Sequence, residues 1–123
     1  MMDDFVSDEE RELYLRAIGQ WGIQAQLYMV MEETGELLSV LGKYLRGRAI
    51  PSQVCEELVD VQIMIRQLAV ILDIELKEGG DTSGLNYPRA PDQGASDDLK
   101  RRLRYKLDKL KQRLDEDVEV NDG

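Results

Sequence analysis

An all-α bundle of about four helices with an antiparallel central pair is the fold this sequence predicts, and three observations predict it. The 123 residues are 42% hydrophobic but only 6% aromatic, so Leu, Val, Ile and Met must build the core, as they do in helical bundles. Apolar residues recur at i+3 and i+4 through long stretches, which is the period of an amphipathic helix. Only Gly47 to Ser52 separate the second stretch from the third, a connection short enough to fold the two back as a hairpin. A single domain of this length holds a modest core, and its helices gain from a partner subunit.

Taken in order, residues 1–6 carry no pattern and are expected to be loose. Ser7 with Glu10 forms a capping-box pair that opens a first helix over roughly 7–19. Gly19 and Gly22 bracket Gln20-Trp21 and interrupt the chain. A second helix follows over about 22–46, with Ile23, Leu27, Val30/Met31, Thr34, Leu37/Leu38, Leu41 and Leu45 at helical spacing. Gly35 sits inside it at a cost of about 1 kcal/mol relative to Ala, which close approach of another helix or a ligand would explain, as would chance. Gly47 ends this helix after Lys43, Arg46 and Arg48. Pro51-Ser52 begins a third helix that runs to about 77, which closes a core of about 7–77. From 78 to 95 Gly, Asp, Pro and Ser predominate, and so long a loop reads equally as a lid or as disorder. Ser96-Asp97-Asp98 then caps a basic helix over about 96–117, with a narrow seam of Leu99, Leu103, Leu107, Leu110 and Leu114. Eight of the sixteen cations lie on it; either they form a solvated surface, or a few reach the acids described next.

Those acids form the central feature. Glu32-Glu33-Thr-Gly-Glu36 on the second helix is echoed by Glu56-Glu57-Leu-Val-Asp60 on the third, so Glu33/Glu36 and Glu57/Asp60 are i,i+3 pairs, each projecting from one face. At about 100° per residue, Met29, Val30, Leu37 and Val40 share the first face and Val54, Val61, Met64, Leu68 and Ile71 share the second. The acids therefore sit inside apolar stripes. None of the six has Lys or Arg at i±3 or i±4, whereas Glu12 has Arg16 and Asp108 has Arg104 and Lys111. Half-buried charge needs a partner. The chain has no His, and an all-oxygen site suits Mg²⁺, or Mn²⁺, better than zinc or copper.

A net charge of −9 argues against duplex nucleic acid or an anionic membrane as the main partner. A polyphosphate remains compatible when a divalent ion supplies positive charge. Cys55 is the only cysteine, so no intrachain disulfide forms and a reducing compartment fits. Its acidic neighbourhood disfavours the thiolate, and it is read as a packing residue. The acidic start lacks the basic region of a secretory signal, and no apolar run approaches the ~18 residues of a membrane span. A cytoplasmic location is expected.

The spacing Glu32-Glu33-x-x-Glu36, twenty residues, Glu57-x-x-Asp60 resembles that of the MazG-like all-α nucleoside triphosphate pyrophosphohydrolases. Trp21-Gly-Ile-Gln24-Ala-Gln26-Leu, Gly42-Lys43-Tyr-Leu-Arg46-Gly47 and Lys106-Leu-Asp-Lys109-Leu-Lys-Gln-Arg113-Leu look similar to short phage-type members, over about residues 18–75 and 104–114. The resemblance implies Mg²⁺-dependent conversion of an NTP or dNTP to the monophosphate and pyrophosphate. By position it implies Glu33, Glu36, Glu57 and Asp60 as metal ligands, with Glu56 or Glu32 orienting water and Glu32 as general base. It further implies Lys43, Lys106, Lys109 and Arg113 as phosphate contacts and Trp21 and Gln24 as base contacts, although Trp21 reads equally as an aromatic plug between the first two helices. A homodimer or homotetramer, with a four-helix bundle around each site, is also implied. The loop at 78–95 departs from the compact connection expected in that family. The rival reading is a non-catalytic helical nucleotide-binding or interaction protein, which predicts no metal-dependent change in stability. A ferritin-like di-iron bundle is disfavoured because its Glu-x-x-His ligands cannot occur without His.

Overall fold

The computed structural model describes residues 5–77 and 94–122. Four helices account for nearly all of them: α1 Asp8–Trp21, α2 Ile23–Leu45, α3 Pro51–Lys77 and α4 Ala95–Asp122. The antiparallel hairpin of α2 and α3 is the centre of the molecule, α1 packs on both of its helices, and α4 packs on α3. Among the described residues there is no strand, and no helix is long and apolar enough to cross a membrane.

The helix boundaries follow local chemistry. Ser7 Oγ accepts from the Glu10 N–H at 3.1 Å and Glu10 Oε2 accepts from the Ser7 N–H at 3.1 Å, so the expected capping box is complete. Gly19 does not break α1, which continues to Trp21. The break falls at Gly22, whose φ of 91° belongs to the region that glycine alone enters freely. At the far end of α2 the Gly47 N–H bonds to Tyr44 O and the Arg48 N–H to Lys43 O. That pair of bonds is a Schellman turn, with Gly47 at φ 73°.

The closed core lies at one end of the hairpin. Val6, Tyr14, Ile18, Ala69, Val70 and Ile71 are buried together, with Phe5, Ile23, Ile74 and Leu99 packed against them. The expectation that residues 1–6 are loose is therefore corrected for Phe5 and Val6, which contribute apolar area to this cluster; residues 1–4 lie outside the described set. Gln26 and Gln67 are buried beside it and satisfy each other, the Gln67 amide donating to Gln26 Oε1 at 2.6 Å.

A buried acid that the sequence reading passed over ties α4 to this core. Asp73 accepts from the Arg11 guanidinium at 3.0 Å and from the backbone N–H of Ala95. The N-terminus of α4 is thus capped from α3, and the helix starts at Ala95 instead of being capped by Ser96. Gly94 is required there because a Cβ would run into the Asp73 carboxylate. The expected lid or disordered loop at 78–95 falls, except for its last two residues, outside the described residues.

Candidate metal centre

Away from the closed core, where α2 and α3 lie against each other near mid-hairpin, the acid pairs meet. Glu33, Glu36 and Glu57 each offer a carboxylate oxygen within 4.8 Å of the other two. Asp60 stands beside them: its negative charge is felt at both Glu33 and Glu57. The helical phase read from sequence is the reason. Val30, Leu37, Val40, Val54, Met64 and Leu68 are half-buried and Val61 buried, and these apolar side chains hold the acids at the helix contact.

Glu33 Oε2 and Glu57 Oε2 are both buried without a hydrogen-bond partner. Among the described residues, no Lys or Arg forms an ion pair with any of the six acids. Burial, and then the negative charge of Glu36, push the carboxyl of Glu33 above its ordinary range; the same two causes, in the same order, raise Glu57. Two unit charges 4.8 Å apart repel by roughly 3 kcal/mol at an effective dielectric near 20. Orphaned oxygens and converging like charge are what a divalent cation removes, and hard oxygen donors without nitrogen or sulfur fit Mg²⁺ or Mn²⁺.

A cavity of about 350 Å³ opens beside these acids, lined by Glu36, Glu56 and Glu57 together with Lys43 and Arg48. Arg48, Ser39 and Gln53 line it as well, and the sequence reading assigned them no role. For Arg48 a signal was present: the Schellman turn at Gly47 swings the residue after it back over the end of α2, next to Lys43. Glu32 is exposed one turn before Glu36 on the same side of α2.

The remaining expected site residues lie elsewhere in the protomer. Trp21 is 61% exposed at the end of α1. Gln24 precedes Glu33 by nine residues, roughly 13 Å and two and a half turns, so it leaves α2 on the side opposite the acids. Lys106, Lys109 and Arg113 line an exposed groove along α4 with Tyr105 and Leu110, and the Lys109 ammonium stands 5.6 Å from the Tyr105 ring centre. Residues 101–118 of α4 are exposed, and Lys106, Lys109 and Arg113 are not brought to Glu33, Glu36 or Glu57 of the same chain. The chain matches no protein-family model, no curated protein and no solved structure.

Proposed function

We propose that this protein is a Mg²⁺-dependent nucleoside triphosphate pyrophosphohydrolase, releasing pyrophosphate and leaving an NMP or dNMP. One observation carries the reading: three carboxylate oxygens within 4.8 Å of one another, two of the acids bearing a buried oxygen without a partner, and no Lys or Arg ion-paired with them among the described residues. Glu33, Glu36 and Glu57, with Asp60 adjoining, would hold the ion. When bound, it supplies charge neutralisation at phosphate oxygens and acidifies a coordinated water.

The chain's own groups account for the rest. Lys43 and Arg48, which line the same cavity as Glu36, Glu56 and Glu57, would give a polyphosphate its anchoring charge, and the Arg48 guanidinium can bind two oxygens at once. Glu32 is the general base in this reading, as an exposed carboxylate on the same side of α2 as Glu36 able to take a proton from water. The aliphatic residues around Glu33 and Glu57 lower the local dielectric and strengthen each charge contact.

The test is pyrophosphate release from a panel of the common NTPs and dNTPs with Mg²⁺, for wild type and for Glu57→Gln and Asp60→Asn. Wild type is expected to turn over, and both variants to remain folded and lose Mg²⁺-dependent release. Retained activity in either variant overturns the ligand assignment. Nucleotide binding by wild type without release identifies the non-catalytic module instead.

A further inference from the structure

The basic helix α4 carries a feature that the metal centre leaves unused. Asp73 and the core hold only its first turns. Every residue from 101 to 118 is exposed, an arm of roughly 27 Å at about 1.5 Å per residue. Along it Leu103, Leu107, Leu110 and Leu114 follow the four-three-four spacing of a coiled-coil seam, and each is between 47% and 56% exposed. In heptad terms these leucines occupy d, a, d and a. The positions that flank such a seam, e and g, are then Arg104, Lys106, Lys111 and Arg113, and all four are cations. Asp108, the one acid between 100 and 113, falls at b, off the seam.

That flanking charge selects what covers the leucines. Two copies of α4 cannot pair through the seam: parallel packing sets g against e′, antiparallel packing sets e against e′ and g against g′, and every such meeting is cation on cation. A helix with apolar a and d positions and Asp or Glu at e and g meets each cation with a carboxylate. Lys106 and Arg113 have no ion pair among the described residues. Arg104 lies 3.7 Å from Asp108 and Lys111 3.0 Å from Asp115, exposed pairs worth at most about 1 kcal/mol and so readily exchanged. The seam spans about 60° of the helix, narrower than the apolar face of at least about 100° that a helix lays into a core or a bilayer surface. Nucleic acid stacked on Tyr105, at f and thus opposite the seam, would leave the leucines in water.

We propose that α4 is a docking arm for an acidic amphipathic helix of another polypeptide, which packs apolar a and d residues on Leu103, Leu107, Leu110 and Leu114 and sets Asp or Glu against Arg104, Lys106, Lys111 and Arg113. The other helices of this chain do not supply that complement. The apolar stripe of α1, Tyr14 and Ile18, is already in the core. There is no acid between Leu38 and Leu45 of α2, nor between Val61 and Leu72 of α3. Asp115, Glu116 and Asp117 follow Leu114 directly, so they end the apolar seam and repel an acidic helix that runs further, which fixes where the contact stops. The proposal does not rest on the hydrolase reading, because none of the four leucines or their flanking cations lines the cavity beside the carboxylates.

Fluorescence anisotropy of labelled synthetic peptides, each about three heptads long, tests it on the full chain at about 0.15 M salt. One peptide has Leu at a and d and Glu at e and g, a second has Lys at e and g, and a third keeps the Glu and has Ser in place of Leu. The first is expected to bind saturably, one per chain and at least about tenfold more tightly than either of the others, and to protect the amides of residues 103–114 from hydrogen exchange. Lys106→Glu with Arg113→Glu should weaken it about tenfold and let the Lys peptide bind, a reversal that loss of structure cannot produce. Leu107→Ser with Leu110→Ser, both at exposed positions, should weaken it about as much. No binding of the Leu–Glu peptide, equal binding of the three peptides, or no reversal in the charge-swapped variant overturns the proposal. Tighter binding of oligothymidylate or of anionic phospholipid vesicles overturns it in favour of a nucleic acid or a membrane. Pyrophosphate release, assayed on the same wild-type sample, reports the hydrolase reading separately.

Discussion

Glu33 and Glu57 are expected to destabilise the chain when no ion is bound, and their chemistry states why. Each holds a buried, unpartnered oxygen beside the charge of Glu36. Glu33→Gln or Glu57→Gln removes one charge from the cluster while keeping the side chain's volume. Either substitution is expected to raise the ion-free melting temperature by a few degrees, as relief of clustered like charge does, and to abolish the further rise expected of wild type with Mg²⁺. Thermal melts with Mg²⁺ and with EDTA read both effects. An equal Mg²⁺ shift in wild type and variants would mean non-specific ion binding. Arg48 makes the opposite kind of contribution: Arg48→Ala should leave the melting temperature within a degree and weaken nucleotide binding about tenfold, the worth of one charge-assisted contact of roughly 1.4 kcal/mol. Isothermal titration with a non-hydrolysable triphosphate analogue measures it.

At the scale of elements, two acids outside the site hold the helices in place. Glu10 accepts from the Ser7 N–H, from Arg66 at 2.7 Å and from the Tyr14 hydroxyl at 3.2 Å. The Ser7 N–H, then Arg66, lower its carboxyl to about 2, and burial followed by the charge of Glu10 raises the Tyr14 hydroxyl. A carboxyl lowered on folding stabilises the protein above its unfolded value near 4.5 and loses that contribution as pH falls through about 2. Glu10→Gln should therefore cost roughly 1–2 kcal/mol at pH 7, the sum of a cap and a partly exposed ion pair, and almost nothing at pH 2. Urea melts at the two pH values give the comparison. Asp73 does for α4 what Glu10 does for α1. Asp73→Ala leaves Arg11 and the first turn of α4 without their acceptor and should cost about 3 kcal/mol, with the loss of protection concentrated in α4 on hydrogen exchange. The capping box at Ser7 was legible in sequence because both partners lie within four residues. The Asp73 cap was not, because its two partners are 62 and 22 residues away.

The whole molecule separates stability from chemistry. Its closed core sits at one end of the hairpin around Val70 and Ile71, while the acids occupy the middle and the cavity the other end. Ile71→Ala should accordingly cost about 3 kcal/mol and leave unchanged the rise in melting temperature expected with Mg²⁺, a difference that scanning calorimetry resolves. Few side chains are fully buried in the isolated chain, and large aliphatic residues remain exposed along α2, α3 and α4.

The sequence alone determined the four helices, the hairpin and the convergence of Glu33, Glu36 and Glu57, because helical periodicity and a short turn are local properties that place side chains on faces before any packing occurs. It also foretold that these acids would lack local cations. Packing across the chain was needed to show that Val6 is core, that Asp73 caps α4, that Arg48 lines the cavity, and that Lys106, Lys109 and Arg113 stand apart from Glu33, Glu36 and Glu57. Each of these depends on which residues distant in sequence become neighbours, and no repeat along the chain encodes that.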